Sequence, residues 1–158
     1  MTAKAVPEGY HTLTPFLTIR DAARAIEFYK QAFGATERGV NKGPDGKVMH
    51  AELVIGDSII MLADEFPEFG SLSPQSTGGT GMGLHIYIED VDSAFDRAVK
   101  AGATVEMPVA DMFWGDRYGK LADPFGHKWS IGTHKRDVSM EEMEEAQKAF
   151  MNEMPKSA

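Results

Sequence analysis

The sequence predicts an α+β fold of two successive βαβββ modules followed by a C-terminal helix, and three observations carry that prediction. The segment Ile19–Arg20–Asp21…Ala25…Gly34–Ala35–Thr36 recurs as Ile88–Glu89–Asp90…Ala94…Gly102–Ala103–Thr104, with one residue lost between helix start and terminal glycine. Each copy runs into strand-like stretches joined by tight turns, Gly56-Asp57 in the first and Pro124-Phe125-Gly126 in the second. Between the copies lies a turn-rich stretch holding Pro67, Pro74 and Gly78-Gly79-Thr80-Gly81. The chain therefore divides into a tail (1–11), a first module (12–64), a linker loop (65–81), a second module (82–134) and an acidic helix with its tail (135–158).

Taken in order, His11 to Ile19 alternates as a strand, with Leu13 and Leu17 opposite Thr14, Phe16 and Thr18. Asp21 suits an N-cap, because its side-chain oxygen can accept from the free amides of a first helical turn. Ala22, Ala25, Ile26, Tyr29 and Phe33 then recur at helical spacing, which makes Tyr29 and Phe33 core, and Gly34 stands at the usual stop. Strands are predicted over 36–42, 48–55 and 58–63. The second of these puts His50, Glu52 and Val54 on one face and Ala51, Leu53 and Ile55 on the other.

The second copy repeats the pattern: a strand over 82–88, then a helix over 90–101 with Val91, Ala94, Phe95 and Ala98 apolar. Residues 117–123 and 128–133 read as strand, turn, strand. Asp-Pro opens the turn, because proline presets its backbone angle, and Gly126 closes it. Trp129 and Ile131 alternate with Ser130 and face the helices, whereas His127 in the turn and His134 beyond the strand are expected to be exposed. Ser139-Met140-Glu141-Glu142 is a capping box ahead of an acidic helix whose narrow apolar stripe is Met140, Met143, Ala146, Phe150 and Met154. That stripe suits packing on its own domain or on a twin subunit.

Composition narrows the function. A net charge of −8, from 16 Lys plus Arg against 24 Asp plus Glu, argues against nucleic acid and anionic membrane as partners. No apolar run approaches a membrane span, and the N-terminal residues lack a signal-peptide core, so the expected setting is cytoplasmic. The absence of cysteine excludes disulfides, thiolate metal sites and thiol catalysis. Phe113, Trp114, Asp116 and Arg117 put two large rings, a carboxylate and a guanidinium within five residues, a mix that suits the rim of a pocket.

Two copies of strand–helix–three strands, with Asp-Pro-x-Gly before the last strand, resemble the vicinal oxygen chelate superfamily. It holds glyoxalase I, the bleomycin and fosfomycin resistance proteins and extradiol dioxygenases. The carrying stretches are IRDAARAIEFYKQAFGA, HAELVIGDSIIMLAD, IEDVDSAFDRAVKAGATV and FWGDRYGKLADPFGHKW. The last most resembles a glyoxalase-like branch named after a phosphonate-operon gene. The resemblance implies curled mixed sheets around a cleft, a homodimer and a small-molecule ligand.

In metal-dependent members four inward residues bind a divalent cation. Counted from the motifs, these positions fall on Thr14, Met61, Gly83 and Ser130. Met61 and Gly83 are not ligands for a hard cation, and Thr14 and Ser130 are poor ones, so a metal-free protein is expected. The cleft implied by the resemblance would have Phe16, Tyr87 and Trp114 stacking on the ligand, Arg117 holding an anionic group, and Met61 and Ser130 in its lining. His50 with Glu52 would form its polar floor. His85 lies two residues beyond Gly83, on the same strand face. If His50, Glu52 and His85 converge, they could hold a divalent metal as two histidines and a carboxylate, or serve a metal-free isomerase with a histidine base. The other reading of His50 and Glu52 is a solvated polar face.

Overall fold

Asp21 and Asp90 start their helices as their positions require, accepting hydrogen bonds from the amides of Arg24 and Ser93. Gly34 ends the first helix in the left-handed region, at φ 66°. The computed structural model describes residues 2–155; residue 1 and residues 156–158 of the two tails named above lie outside the described residues.

The elements run β1 (Phe16–Ile19), α1 (Ala22–Phe33), β2 (Thr36–Lys42), β3 (Val48–Ile55), β4 (Ser58–Asp64), α2 (Pro74–Thr77) and β5 (Gly83–Tyr87). Then follow α3 (Val91–Ala101), β6 (Thr104–Asp111), β7 (Asp116–Ala122), β8 (Lys128–His134) and α4 (Met140–Glu153). They form two four-stranded mixed sheets of identical topology, β1-β4-β3-β2 and β5-β8-β7-β6, neither closed on itself. In each, the first strand pairs with the last in parallel, and the other pairs are antiparallel. The duplication read from the sequence is thus a duplication of sheets.

One face of each sheet carries the core. Leu17, Ile19, Ala51, Leu53 and Leu62 of the first sheet and Leu121, Trp129 and Ile131 of the second are buried with the apolar sides of α1 and α3. Tyr29 and Phe33 of α1 stack on each other at 5.8 Å, and Phe33 lies 4.6 Å from the Trp129 ring. The first helix therefore packs on a strand of the second module. The opposite faces, carrying His50 and Glu52 in one sheet and His85 and Ser130 in the other, are left half-open.

Asp123, in the Asp-Pro-Phe-Gly turn, locks the modules together. Its Oδ1 accepts from the amides of Phe125 and His127, each at 2.9 Å. Its Oδ2 accepts from the Tyr29 hydroxyl at 2.6 Å and the Trp129 indole at 2.9 Å. Burial, then the Asp123 charge, push the Tyr29 phenol well above its ordinary pKa, so it stays a donor.

Four expectations need correction. His127 is buried rather than exposed, with Nε2 3.1 Å from the Thr18 carbonyl oxygen, because the turn folds inward onto the first module. The first strand begins at Phe16, not His11, because Pro15 has no amide N–H with which to extend the ladder to β4; Leu13 is 86% exposed and Thr14 lies outside the strand. His134 is the last residue of β8 rather than a residue beyond it. The linker is not a plain loop: it holds a 3-10 turn (Pro67–Phe69) and α2. Glu65 fastens that linker, accepting from the Ser73 amide and the Ser76 hydroxyl, and these bonds hold its carboxyl at a pKa of about 2.

The C-terminal capping box forms with both reciprocal bonds between Ser139 and Glu142. Of the apolar stripe, Phe150 meets the Phe113 ring at 5.3 Å. No residue of α4 is fully buried.

Candidate ligand-binding trough

Cross-strand register decides which residues meet. In the second sheet Lys120 pairs with Ser130, and Ser130 with His85, so their side chains form one row on the open face. The next row is Tyr118, Gly132 and Tyr87, and beyond it Asp116 pairs with His134. Two glycines shape this face. A Cβ on Gly132 would lie 3.1 Å from His85 Cε1, so the imidazole lies where a larger residue would stand. Gly83, beside Lys128, leaves an open floor. The result is a hollow of about 420 Å³ lined by Met82, Gly83, His85, Tyr118, Lys120 and Ser130, among others, within the usual range for small-molecule sites.

His85 is the centre of this trough. Its Nδ1 is 2.7 Å from Ser130 Oγ. Tyr87 meets its ring edge-on at 4.4 Å, and Tyr118 lies near-parallel at 5.6 Å. Partial burial lowers its pKa, outweighing the raising pull of Asp116, so the imidazole is neutral near pH 7 and one ring nitrogen keeps a lone pair. Trp114 continues the ring wall, 5.4 Å from Tyr118.

That wall is held from behind by Asp116, a carboxylate only 5% exposed. It accepts from the Trp114 indole at 3.1 Å and the Tyr87 hydroxyl at 3.3 Å, and its other oxygen takes the His134 Nδ1 at 2.7 Å. Asp116, then Asp137, raise the His134 pKa above its ordinary 6.5. The stabilisation this gives is fully present below 6.5 and is lost as pH rises through the folded-state value. We expect the NMR resonance of the Trp114 indole N–H to move over that window. The shift should vanish in His134→Gln; an unchanged titration in that variant would take His134 out of the wall.

Among the residues read as site candidates, His85, Tyr87, Trp114 and Ser130 come together on this face. Phe16, Met61, His50 and Glu52 lie on the first sheet instead. There Phe16 pairs with Met61 and its ring is 5.7 Å from His50. His50 Nε2 is 3.3 Å from Glu52, and Arg38 is 3.6 Å from the same carboxylate. The N-terminal segment lies over this face: Arg38 sits 4.9 Å above the Tyr10 ring and donates to the Glu8 carbonyl. The buried Tyr10 hydroxyl, without a partner in strict hydrogen-bond geometry, is directed at Glu52 and with His50 and Arg38 holds that carboxyl below its ordinary pKa. Among the described residues no group of three His, Cys, Asp or Glu is placed to hold a metal.

Arg117 takes another role. It lies on the opposite face of β7 from Tyr118, donating to both oxygens of Asp92 at 2.7 and 2.8 Å and to Asp111 at 3.2 Å. Its guanidinium is fully engaged and its pKa is raised, first by Asp92. Strand register also differs by two residues from the count made on the motifs. Phe16 and His85, not Thr14 and Gly83, stand across from Met61 and Ser130. Phe16 has no donor atom and Met61 offers only a soft thioether, so the set does not fit a hard divalent cation. Tyr118 and Lys120 were not singled out in the sequence, although their alternation with Asp116 was there to find them.

With this geometry in view, likeness to known proteins is informative. A family model described as the Glyoxalase/Bleomycin resistance protein/Dioxygenase superfamily matches residues 10–131. An uncharacterized protein of Mycobacterium bovis is 49% identical over 137 residues, 85% of this chain and 90% of that protein. The X-ray structure of a gene product from Arabidopsis thaliana superposes with a TM-score of 0.63 at 28% identity, covering 77% of this chain and 98% of that one. The crystal structure of TioX from Micromonospora sp. ML1 gives 0.60 at 25% identity, covering 82% and 100%. The duplicated βαβββ sheets and a family match spanning both make this chain a member of the glyoxalase/bleomycin resistance protein/dioxygenase superfamily.

Proposed function

We propose that this protein binds a small organic molecule on the open face of its second module, without a resident divalent cation. The observation that carries the reading is the hollow beside His85, floored by Gly83 and lined by Tyr118, Lys120 and Ser130, with Tyr87 edge-on to the His85 ring and Trp114 packed on Tyr118. Rings give contact area at low entropic cost, and a few polar groups at the centre give orientation. The donor set at the inherited metal positions supports a metal-free site. A homodimer completes the reading: Phe16 and Tyr87, 50% and 66% exposed on the sheet-edge strands β1 and β5, are rings that a second copy would cover. Among the described residues no helix is long and apolar enough to cross a membrane.

The test is a thermal-shift screen of small organic molecules against the wild type and Tyr118→Ala, with elemental analysis and sedimentation alongside. A ligand at about 100 times its Kd stabilises by about 2.7 kcal/mol, or about 6 °C in midpoint. Compounds should produce such shifts in the wild type and lose most of the effect in the variant. Equal shifts in both proteins would remove the trough. About one bound metal per chain would overturn the metal-free reading, and a monomer with and without ligand would overturn the dimer.

A second reading is favoured by the His85–Ser130 pair. A neutral imidazole that donates its Nδ1–H to the Ser130 hydroxyl oxygen has its lone pair on Nε2 for general-base work, as in a metal-free isomerase. Turnover of any compound found in the screen, lost in His85→Gln, separates catalysis from binding.

A further inference from the structure

The polar end of the trough is cationic, against the trend of the chain. The protein carries 24 acidic side chains against 16 Lys and Arg, yet this hollow is lined by two lysines, Lys120 and Lys128, against one carboxylate, Glu106. Lys128 is spent on an ion pair with Glu106. Lys120 enters no ion pair among the described residues. It stands in register with Ser130, and Ser130 with His85, so an ammonium, a hydroxyl and an imidazole follow one another across three strands. Tyr118, next to Lys120 on the same face of β7, offers the ring that adjoins this row.

We infer that the trough takes a flat aromatic or conjugated molecule bearing an oxyanion. The anionic group lies against the Lys120 ammonium and the Ser130 hydroxyl, and the ring lies beside Tyr118. This assignment rests on the trough being the binding site. A neutral ligand would gain nothing from this exposed ammonium, and a cationic one would be repelled by it. Arg117, which the sequence alone suggested for the anion, is held by Asp92 and Asp111 on the far face.

The probe is anilinonaphthalene sulfonate, an aromatic anion whose fluorescence rises in apolar sites, compared with its neutral relative phenylnaphthylamine. Each is titrated into the wild type, Lys120→Gln and Gly83→Phe. Lys120 is exposed, so its variant keeps the fold. Gly83 has ordinary φ and its nearest neighbour, the Lys128 carbonyl, is 3.9 Å from a built Cβ, so a phenylalanine ring at this position would fill the hollow without backbone strain; circular dichroism checks this.

A charge-assisted contact implies that the wild type binds the sulfonate about tenfold more tightly than the neutral dye. Lys120→Gln should erase that margin and leave the neutral dye unchanged, and folded Gly83→Phe should lose both. Sulfonate affinity unchanged in Lys120→Gln, or no saturable sulfonate binding to the wild type, overturns the anion assignment. Wild-type binding of both dyes by folded Gly83→Phe overturns the trough itself, a distinct failure.

Discussion

Replacing Asp123 with alanine is expected to destabilise the fold by about 4 kcal/mol, a large part of the roughly 5–15 kcal/mol typical of a domain. The carboxylate is 5% exposed and accepts four hydrogen bonds, from the Tyr29 hydroxyl, the Trp129 indole and the amides of Phe125 and His127. Its removal leaves two buried side-chain donors unpaired, each costing about 1–3 kcal/mol, and frees the turn. Tyr29→Phe removes one donor without orphaning the carboxylate, so it should cost only about 1 kcal/mol. Guanidinium unfolding of the three proteins tests this. A loss no larger than that of Tyr29→Phe would overturn the role of Asp123 as the lock between the modules.

Gly115→Ala should be comparably damaging, at about 3 kcal/mol or more, and should also disturb the ring wall. Gly115 has φ 98°, where an L side chain is strained, and a Cβ there would lie 2.1 Å from the Arg136 carbonyl oxygen. That crowding exists because the amides of Lys135 and Arg136 both donate to the Gly115 carbonyl, at 2.9 and 3.1 Å. The crossing pins the segment after β8 against the loop that presents Trp114. In the variant the melting midpoint should fall and the Trp114 indole resonance should lose its Asp116-bonded position. A wild-type midpoint would show that the crossing opens at little cost.

The open trough and the partly covered first face come from the same repeated plan. Phe16 and His85 occupy equivalent places, as do Met61 and Ser130. In the first module the Tyr10 segment lies over the row containing Glu52. In the second, Gly83 leaves the face beside the row containing Ser130 open, and Gly132 makes room for the His85 ring.

Local chemistry was legible without coordinates. The bounds of β2 and β3 and the caps at Asp21, Asp90 and Ser139 follow from side-chain alternation, helical spacing and capping groups within a few residues of one another. The duplicated order of elements, and hence the fold class and family, follows from the same short-range signals. The alternation also put His50 with Glu52, and Trp129 with Ile131, on the faces where they lie.

What only the tertiary structure decided is how distant strands pair and which face is covered. The parallel pairings β1–β4 and β5–β8 join residues 45 positions apart, as in His85 and Ser130. No local preference sets that register, and a shift of two residues keeps every side chain on its face while changing its partners. So the residues across from Met61 and Ser130 are Phe16 and His85, not Thr14 and Gly83. His127, Arg117 and Tyr10 took their places for a related reason. Whether a polar side chain is exposed, paired or folded over a sheet depends on a second layer, and that layer is brought by residues far away in the chain.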